Sequence, residues 1–403
     1  MGLLLPACEH EVTPESQSPE AVTATQATGL PEQLLDSTSS TPPLSPIVQA
    51  EIIGRWQYDF PQNYDPEIGF VDAITITSTN IKGKDYLILS FDPLSGPNNS
   101  RVFIFDAEDP LSPRLVSTIA REKQGRDMFL VRSAAIQSNI LYCSLFGDRG
   151  LWMVDISNPL EPKDLGIVPV EITSSLIVSD GYAYASGQHY NGVSISDISD
   201  PQNVREVSRI DISSRDCRLS VSGQLLFVGI GQTLTTIDIS VPDAPKIIST
   251  FDLSVPDGLS PEMPMPKPGQ SQWDKWTSII DLQALGNYVY VAFGAGQLRV
   301  VDVSDPASPK ESGKVELGGF AIALTLKDNL LYLTKSDMVN PVLQLCILDV
   351  SQPQSPILLD SIETQSMFGF GGATFAYCFM RPVILGDHVY IAGRDHMDVI
   401  EFR

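Results

Sequence analysis

Seven acidic side chains recur along the chain: Asp106, Asp155, Asp197, Asp238, Asp302, Asp349 and Glu401, at intervals of 49, 42, 41, 64, 47 and 52 residues. Carboxylates gathered from several such positions could hold a hard cation such as calcium, or act as acid and base in a hydrolysis. Their surroundings point elsewhere. Each of the six Asp residues ends an apolar run and is followed four residues later by a proline: Pro110, Pro159, Pro201, Pro242, Pro306 or Pro353. A carboxylate so placed accepts backbone donors of the turn that follows, and Pro fixes φ and removes a donor where the chain leaves one strand for the next. Turn capping is therefore the expected role of these residues.

Other chemistry has little support. The five cysteines, Cys8, Cys143, Cys217, Cys346 and Cys378, show no CxxC or Cys/His spacing, and four of them fall in expected strands as buried thiols. Of the four histidines, His10 lies near the N-terminus, His388 in a hairpin turn, and His189 and His396 in irregular loops, with no zinc-binding spacing among them. No nucleophile elbow, phosphate loop or dinucleotide fingerprint is present. A formal net charge of −23 argues against nucleic acid and anionic membrane surfaces as partners, because both demand basic patches. No cofactor is expected, with calcium the one candidate.

The acidic residues belong to a larger phrase that must position everything else. Its copies are VFIFDAEDPLSP from Val102, LWMVDISNPLEP from Leu151, VSISDISDPQNV from Val193, LTTIDISVPDAP from Leu234, LRVVDVSDPASP from Leu298 and LCILDVSQPQSP from Leu345. Around each Pro knot the order is the same. A strand such as 246–253 follows the knot. An apolar strand ending in a Gly/Asn/Asp turn comes next, and then a strand carrying Tyr142, Tyr184, Phe227, Tyr290, Tyr332 or Tyr390. Turns such as Ser138-Asn139 and Asp180-Gly181 suit two-residue hairpins. Four strands per 40–50 residues is the size of one propeller blade. The chain ends on a strand that would lead into a knot, while Pro43-Leu44-Ser45-Pro46 repeats Pro110-Leu111-Ser112-Pro113. The seventh knot is thus split between the termini. An all-β, seven-bladed β-propeller over 46–403 is expected, its last blade closed by a strand at about 47–58 pairing beside 397–402.

The phrase resembles the LVIVD-repeat family, most directly at LRVVDVSDP (298–306). The resemblance covers about 46–403. It implies a seven-bladed propeller of the kind found in bacterial and archaeal surface and secreted proteins, and it supplies no catalytic motif.

The N-terminus adds a location. Leu3–Cys8 reads LLLPAC, like the end of a lipoprotein signal, which would make residues 1–8 a signal remnant and Cys8 the lipidated residue. Residues 9–45 contain no Lys or Arg and are rich in Ser, Thr, Pro and Glu, a composition that stays disordered and serves as a tether. An extracytoplasmic protein is expected, held at the envelope by lipid or secreted, with a lipid on Cys8 as its one membrane contact.

With the Gly/Asn/Asp-turned strand innermost, knots and short hairpins share one face, and irregular connections occupy the other. The longest, 254–276, carries Met263, Met265, Trp273 and Trp276, and MFGFGG (367–372) carries Phe368 and Phe370. These side chains could anchor a protein or glycan partner, or could pin the loops to their own domain. Arg218, Asp281 and Arg381 align at one level of the innermost strands, each nine residues before the recurring aromatic, with Asp72 and Arg132 close by. They could form a polar ring that captures a small anion, or a hydrated network of ion pairs. Three functions follow: a non-catalytic binding module working from the long-loop face, a calcium-assisted hydrolase using Asp65, Asp92 or Asp281, or a purely structural envelope protein.

Overall fold

The computed structural model describes residues 49–57, 71–93, 100–121, 130–146, 150–170, 175–186, 192–212, 217–253, 277–336, 342–367, 381–392 and 396–402. Residues from Ile47 to Arg403 form one compact unit. It contains seven four-stranded antiparallel sheets, the blades of a seven-bladed β-propeller. Six blades are contiguous in sequence. The seventh takes its three inner strands from the end of the chain and its outer strand, Ala50–Gln57, from the beginning. That strand pairs with His396–Phe402 in the register Ala50↔Phe402 to Gln57↔His396, so the expected closure is present.

The innermost strands are Val71–Ile81, Leu130–Gln137, Leu176–Ser179, Arg218–Ser222, Ile279–Leu285, Phe320–Lys327 and Val383–Leu385, for blades one to seven in order. Each adjoins the innermost strand of the next blade, and the last adjoins the first. The turns after them hold positive φ where expected, with Ser138 and Asn139 at 52° and 59° and Asp180 and Gly181 at 50° and 81°. Asn, Asp and Gly tolerate this conformation at least cost, and it matches the twist of the strands.

The core lies between blades rather than within them. Successive side chains of a strand point to opposite faces of its sheet, and each face here is covered by a neighbouring blade. In the third strand of blade one, Val102 and Ile104 pack with Leu141, Cys143 and Trp152 of blade two, while Phe103 and Phe105 pack with Tyr390, Met397 and Val399 of blade seven. Strands buried on both faces read as unbroken apolar runs, which is why the knot phrase begins VFIF or LCIL instead of alternating. The recurring aromatics are buried and each packs against the next blade, as Tyr142 does against Leu176 and Ala183.

All six knot Asp residues accept the backbone N–H two residues on, at 2.8–3.1 Å. The turn-capping role expected of them is met. Hydrogen bonds from the hydroxyl and backbone N–H of the serine two residues on hold the Asp155, Asp197, Asp238 and Asp302 carboxyls below the ordinary range. The knots also latch neighbouring blades, a role with no local signal. Ser117, Ser208 and Ser249, on outer strands, donate at 2.6 Å to the carbonyls of Pro159, Pro242 and Pro306, each in the knot of the following blade. At the corresponding place in blade five stands Gly313, where a Cβ would lie 2.5 Å from the Pro353 carbonyl oxygen.

Three cysteines, Cys143, Cys217 and Cys346, are buried thiols as expected, although Cys217 lies one residue ahead of its strand rather than in it. His396 also differs from expectation. It opens the strand His396–Phe402 opposite Gln57 instead of lying in a loop, because the closing strand extends the ladder to that position.

Candidate functional site in the central channel

Because every ladder is antiparallel, strand ends alternate between two faces. The knots and the hairpins after the innermost strands lie on one face. The opposite face receives the connections between second and third strands and those between blades. Described connections there are short, as at 231–232, 294–296 and 317–319. Met263, Met265, Trp273, Trp276, Phe368, Phe370, Asp65, His189 and Cys8 lie outside the described residues. Asp72 and Asp92 are opposite one another in the first two strands of blade one.

Counting along each ladder from the residue opposite the knot Asp, or opposite Glu401, places Thr75, Ser133, Ser175, Arg218, Asp281, Ala323 and Arg381 at one level of the seven innermost strands. Arg218 and Asp281 stand at this level within their ladders, and Arg381 stands two residues ahead of its strand. Arg132 occupies the bulged position one residue earlier than Ser133, between Val131 and Ser133. This level surrounds the channel near the long-loop face. All seven innermost strands, or the residues leading into them, line a cavity of about 350 Å³, and its charged lining residues are Arg132, Arg218, Asp281, Lys327 and Arg381.

Asp281 organises the level. It is 2% exposed. Its Oδ2 accepts from the Leu324 N–H of blade six at 3.0 Å and from Arg381 Nε of blade seven at 3.2 Å, and its Oδ1 accepts from Arg381 Nη2. The pair reaches across blade six, whose residue at this level is Ala323. Arg218 donates to the Ile280 carbonyl of blade five. Similar bonds stitch the innermost strands below. Ser220 accepts from Ala284 N–H at 2.8 Å, Gln283 accepts from Leu326 N–H at 2.6 Å, and Thr325 donates to the Pro382 carbonyl at 2.6 Å. The inner edge of each blade would otherwise present unpaired backbone groups, and polar side chains of the preceding blade satisfy some of them. At the other end of the channel, Lys327 donates to the Gly386 carbonyl.

Chemically, this is a site of hydrogen-bond donors. Two arginines and the hydroxyls of Thr75, Ser133 and Ser175 share one level, and the single carboxylate among them is occupied by Arg381. Among the described residues, no group of three or more His, Cys, Asp or Glu side chains could hold a metal ion. No helix among them is long and apolar enough to cross a membrane. A second buried cation, Arg299, was not singled out by sequence. It is 3% exposed, pairs with Glu311 at 2.9 Å, lies over the Phe293 ring and donates to the Leu253 carbonyl, which ties blade five to the end of blade four.

Several solved structures share the fold. A chain from "Crystal Structure of Mitotic Checkpoint Complex" aligns with a TM-score of 0.56 at 12% identity, covering 85% of this chain and 96% of that one. A functionally unknown protein from Desulfotomaculum acetoxidans DSM 771 aligns at 0.52 and 14%, covering 73% and 86%. The computationally designed Ika8 protein aligns at 0.50 and 14%, covering 83% and 98%. At these identities the likeness concerns the fold alone. A comparison with curated proteins finds no match. The LVIVD repeat matches at 133–169, 172–212, 215–252, 279–316 and 342–364, which are blades two to five and part of blade six. On these five repeats, the chain belongs to the LVIVD-repeat family.

Proposed function

We propose that this protein is a non-catalytic binding module of the cell envelope or extracellular space, which engages a protein or glycan partner on the face opposite its Pro knots. The observation that carries this reading is the division between the faces. One is uniform, with six knots held by the same Asp-to-backbone bond. The other receives connections of very unequal length, from the two residues 231–232 to the 23 residues 254–276. Unequal loops on a rigid scaffold are where recognition is usually placed. On this reading Met263, Met265, Trp273, Trp276, Phe368 and Phe370 supply anchors, Cys8 carries a lipid, and residues 9–45 hold the propeller away from the membrane.

The test compares the full chain with a variant in which 255–276 is replaced by a short Gly/Ser linker. Both serve as baits in envelope and culture extracts, and any captured partner is purified and titrated against each. A partner that binds the full chain and loses at least about tenfold in affinity for the variant supports the reading. Absence of any partner, or equal affinity for a variant that melts like the parent, sinks it.

A further inference from the structure

We propose that the channel mouth on the long-loop face binds a small oxyanion, a molecule carrying carboxylate or phosphate groups, through Arg218, Arg381 and Arg132. The charge balance leads to this. Among the described residues lining the cavity, Arg132, Arg218 and Arg381 are cationic at or beside this level, and Asp281 alone is anionic. The chain as a whole carries −23. Among the described residues, the charge of this lining is opposite in sign to that of the chain.

Geometry fixes the chemical class. Arg381 is held by Asp281 through Nε and Nη2, yet its side chain remains 40% exposed at the cavity wall. The carboxylate orients the guanidinium and leaves it further N–H donors. A planar, oriented guanidinium recognises carboxylate or phosphate in a two-pronged manner that an ammonium cannot match. Arg218, only 8% exposed, is held by a hydrogen bond to the Ile280 carbonyl. Ordering these side chains before the ligand arrives lowers the entropy lost on binding.

Size is limited by two features. A cavity of about 350 Å³ admits a metabolite and no polymer strand. The overall negative charge repels long polyanions, whereas a small ion inside the mouth is screened from distant acids over about 8 Å in physiological salt. The inference is independent of any partner on the loops, and its test does not involve them.

The test is titration calorimetry on the full chain with citrate and with inorganic phosphate, and with sucrose as the uncharged probe. At least one anion is expected to bind with Kd below about 1 mM, and sucrose not at all. The tighter of the two anions identifies carboxylate or phosphate as the preferred group. Arg218→Gln and the double variant Asp281→Asn/Arg381→Gln, which removes the ion pair without stranding a buried charge, should each weaken binding at least fivefold. If Arg218→Gln melts without cooperativity, Arg218→Lys takes its place, since it keeps the charge and loses the planar fork. Arg114→Gln, at an exposed knot, should bind as the parent does. No saturable anion binding below about 1 mM, or binding that falls less than fivefold in the folded channel variants, overturns the proposal.

Discussion

Arg55 and Asp398, 343 residues apart in sequence, face one another across the strand pair that closes the ring, with Nε 2.8 Å from Oδ1. Asp398 is fully buried, and His396 Nε2 lies 3.6 Å from its other oxygen. Burial pushes this carboxyl up, and hydrogen bonds and charge from His396 and Arg55 outweigh burial and leave it below the usual range. Arg55→Gln keeps some polarity and removes the charge that compensates a buried anion. We expect it to cost about 3 kcal/mol, read as a lower urea midpoint with an unchanged slope. A loss below about 1 kcal/mol would show that the ladder closes the ring without this pair.

Acid should loosen the protein through the same group and through the knots. Asp398, Asp155, Asp197, Asp238 and Asp302 all have lowered carboxyl pKa values in the folded chain. A depressed folded value means that the stabilisation is complete above the ordinary Asp value of about 3.9 and is lost as pH falls below it. Thermal midpoints should therefore decline from about pH 4 downward, and by less in Asp302→Asn, which removes one titrating group. A midpoint flat between pH 5 and pH 2.5 would contradict the assignment.

The latch between blades predicts two opposite defects. Ser249→Ala removes a hydroxyl from the Pro306 carbonyl and should cost about 1 kcal/mol. Gly313→Ala adds a methyl group where the Pro353 carbonyl already stands at 2.5 Å, and should cost about 1–3 kcal/mol through overpacking. Equilibrium unfolding of both variants checks the pair, and a neutral Gly313→Ala would mean that the blades can part there freely.

These latches mark the limit of what sequence reveals. The knot Asp and Pro, the hairpin turns and the split seventh blade all announce themselves within a dozen residues, because each is local chain geometry repeated. Ser117, Ser208 and Ser249 act on carbonyls 42, 34 and 57 residues away, and a serine on a strand has no local signature of that. The channel was half legible. Register alone places Arg218, Asp281 and Arg381 at one level. That Asp281 meets Arg381 across blade six is visible only once the strands are arranged in a ring. His396 reads as loop in the sequence for a related reason. The strand that extends the ladder past Met397 comes from the other end of the chain.

The buried thiols should be inert in the folded state. Burial pushes the Cys143 thiol strongly upward, and Cys217 and Cys346 are also enclosed. Reaction of the Cys8→Ser/Cys378→Ser variant with a disulfide reagent should be slow in buffer and rapid in denaturant. Three thiols modified within minutes in buffer would place at least one of these side chains at the surface.

Closing a ring with the two ends of the chain has a temporal cost. The strand Ala50–Gln57 emerges early in synthesis, while its partner, His396–Phe402, emerges last. With 343 residues between Arg55 and Asp398 and translation at about 5–20 residues per second, the early strand waits roughly 20 to 70 seconds for its place. Through that interval six blades can form, with an edge exposed at each end of the arc. Until the last strand arrives, the arc is nearly complete and still able to pair with another copy of itself.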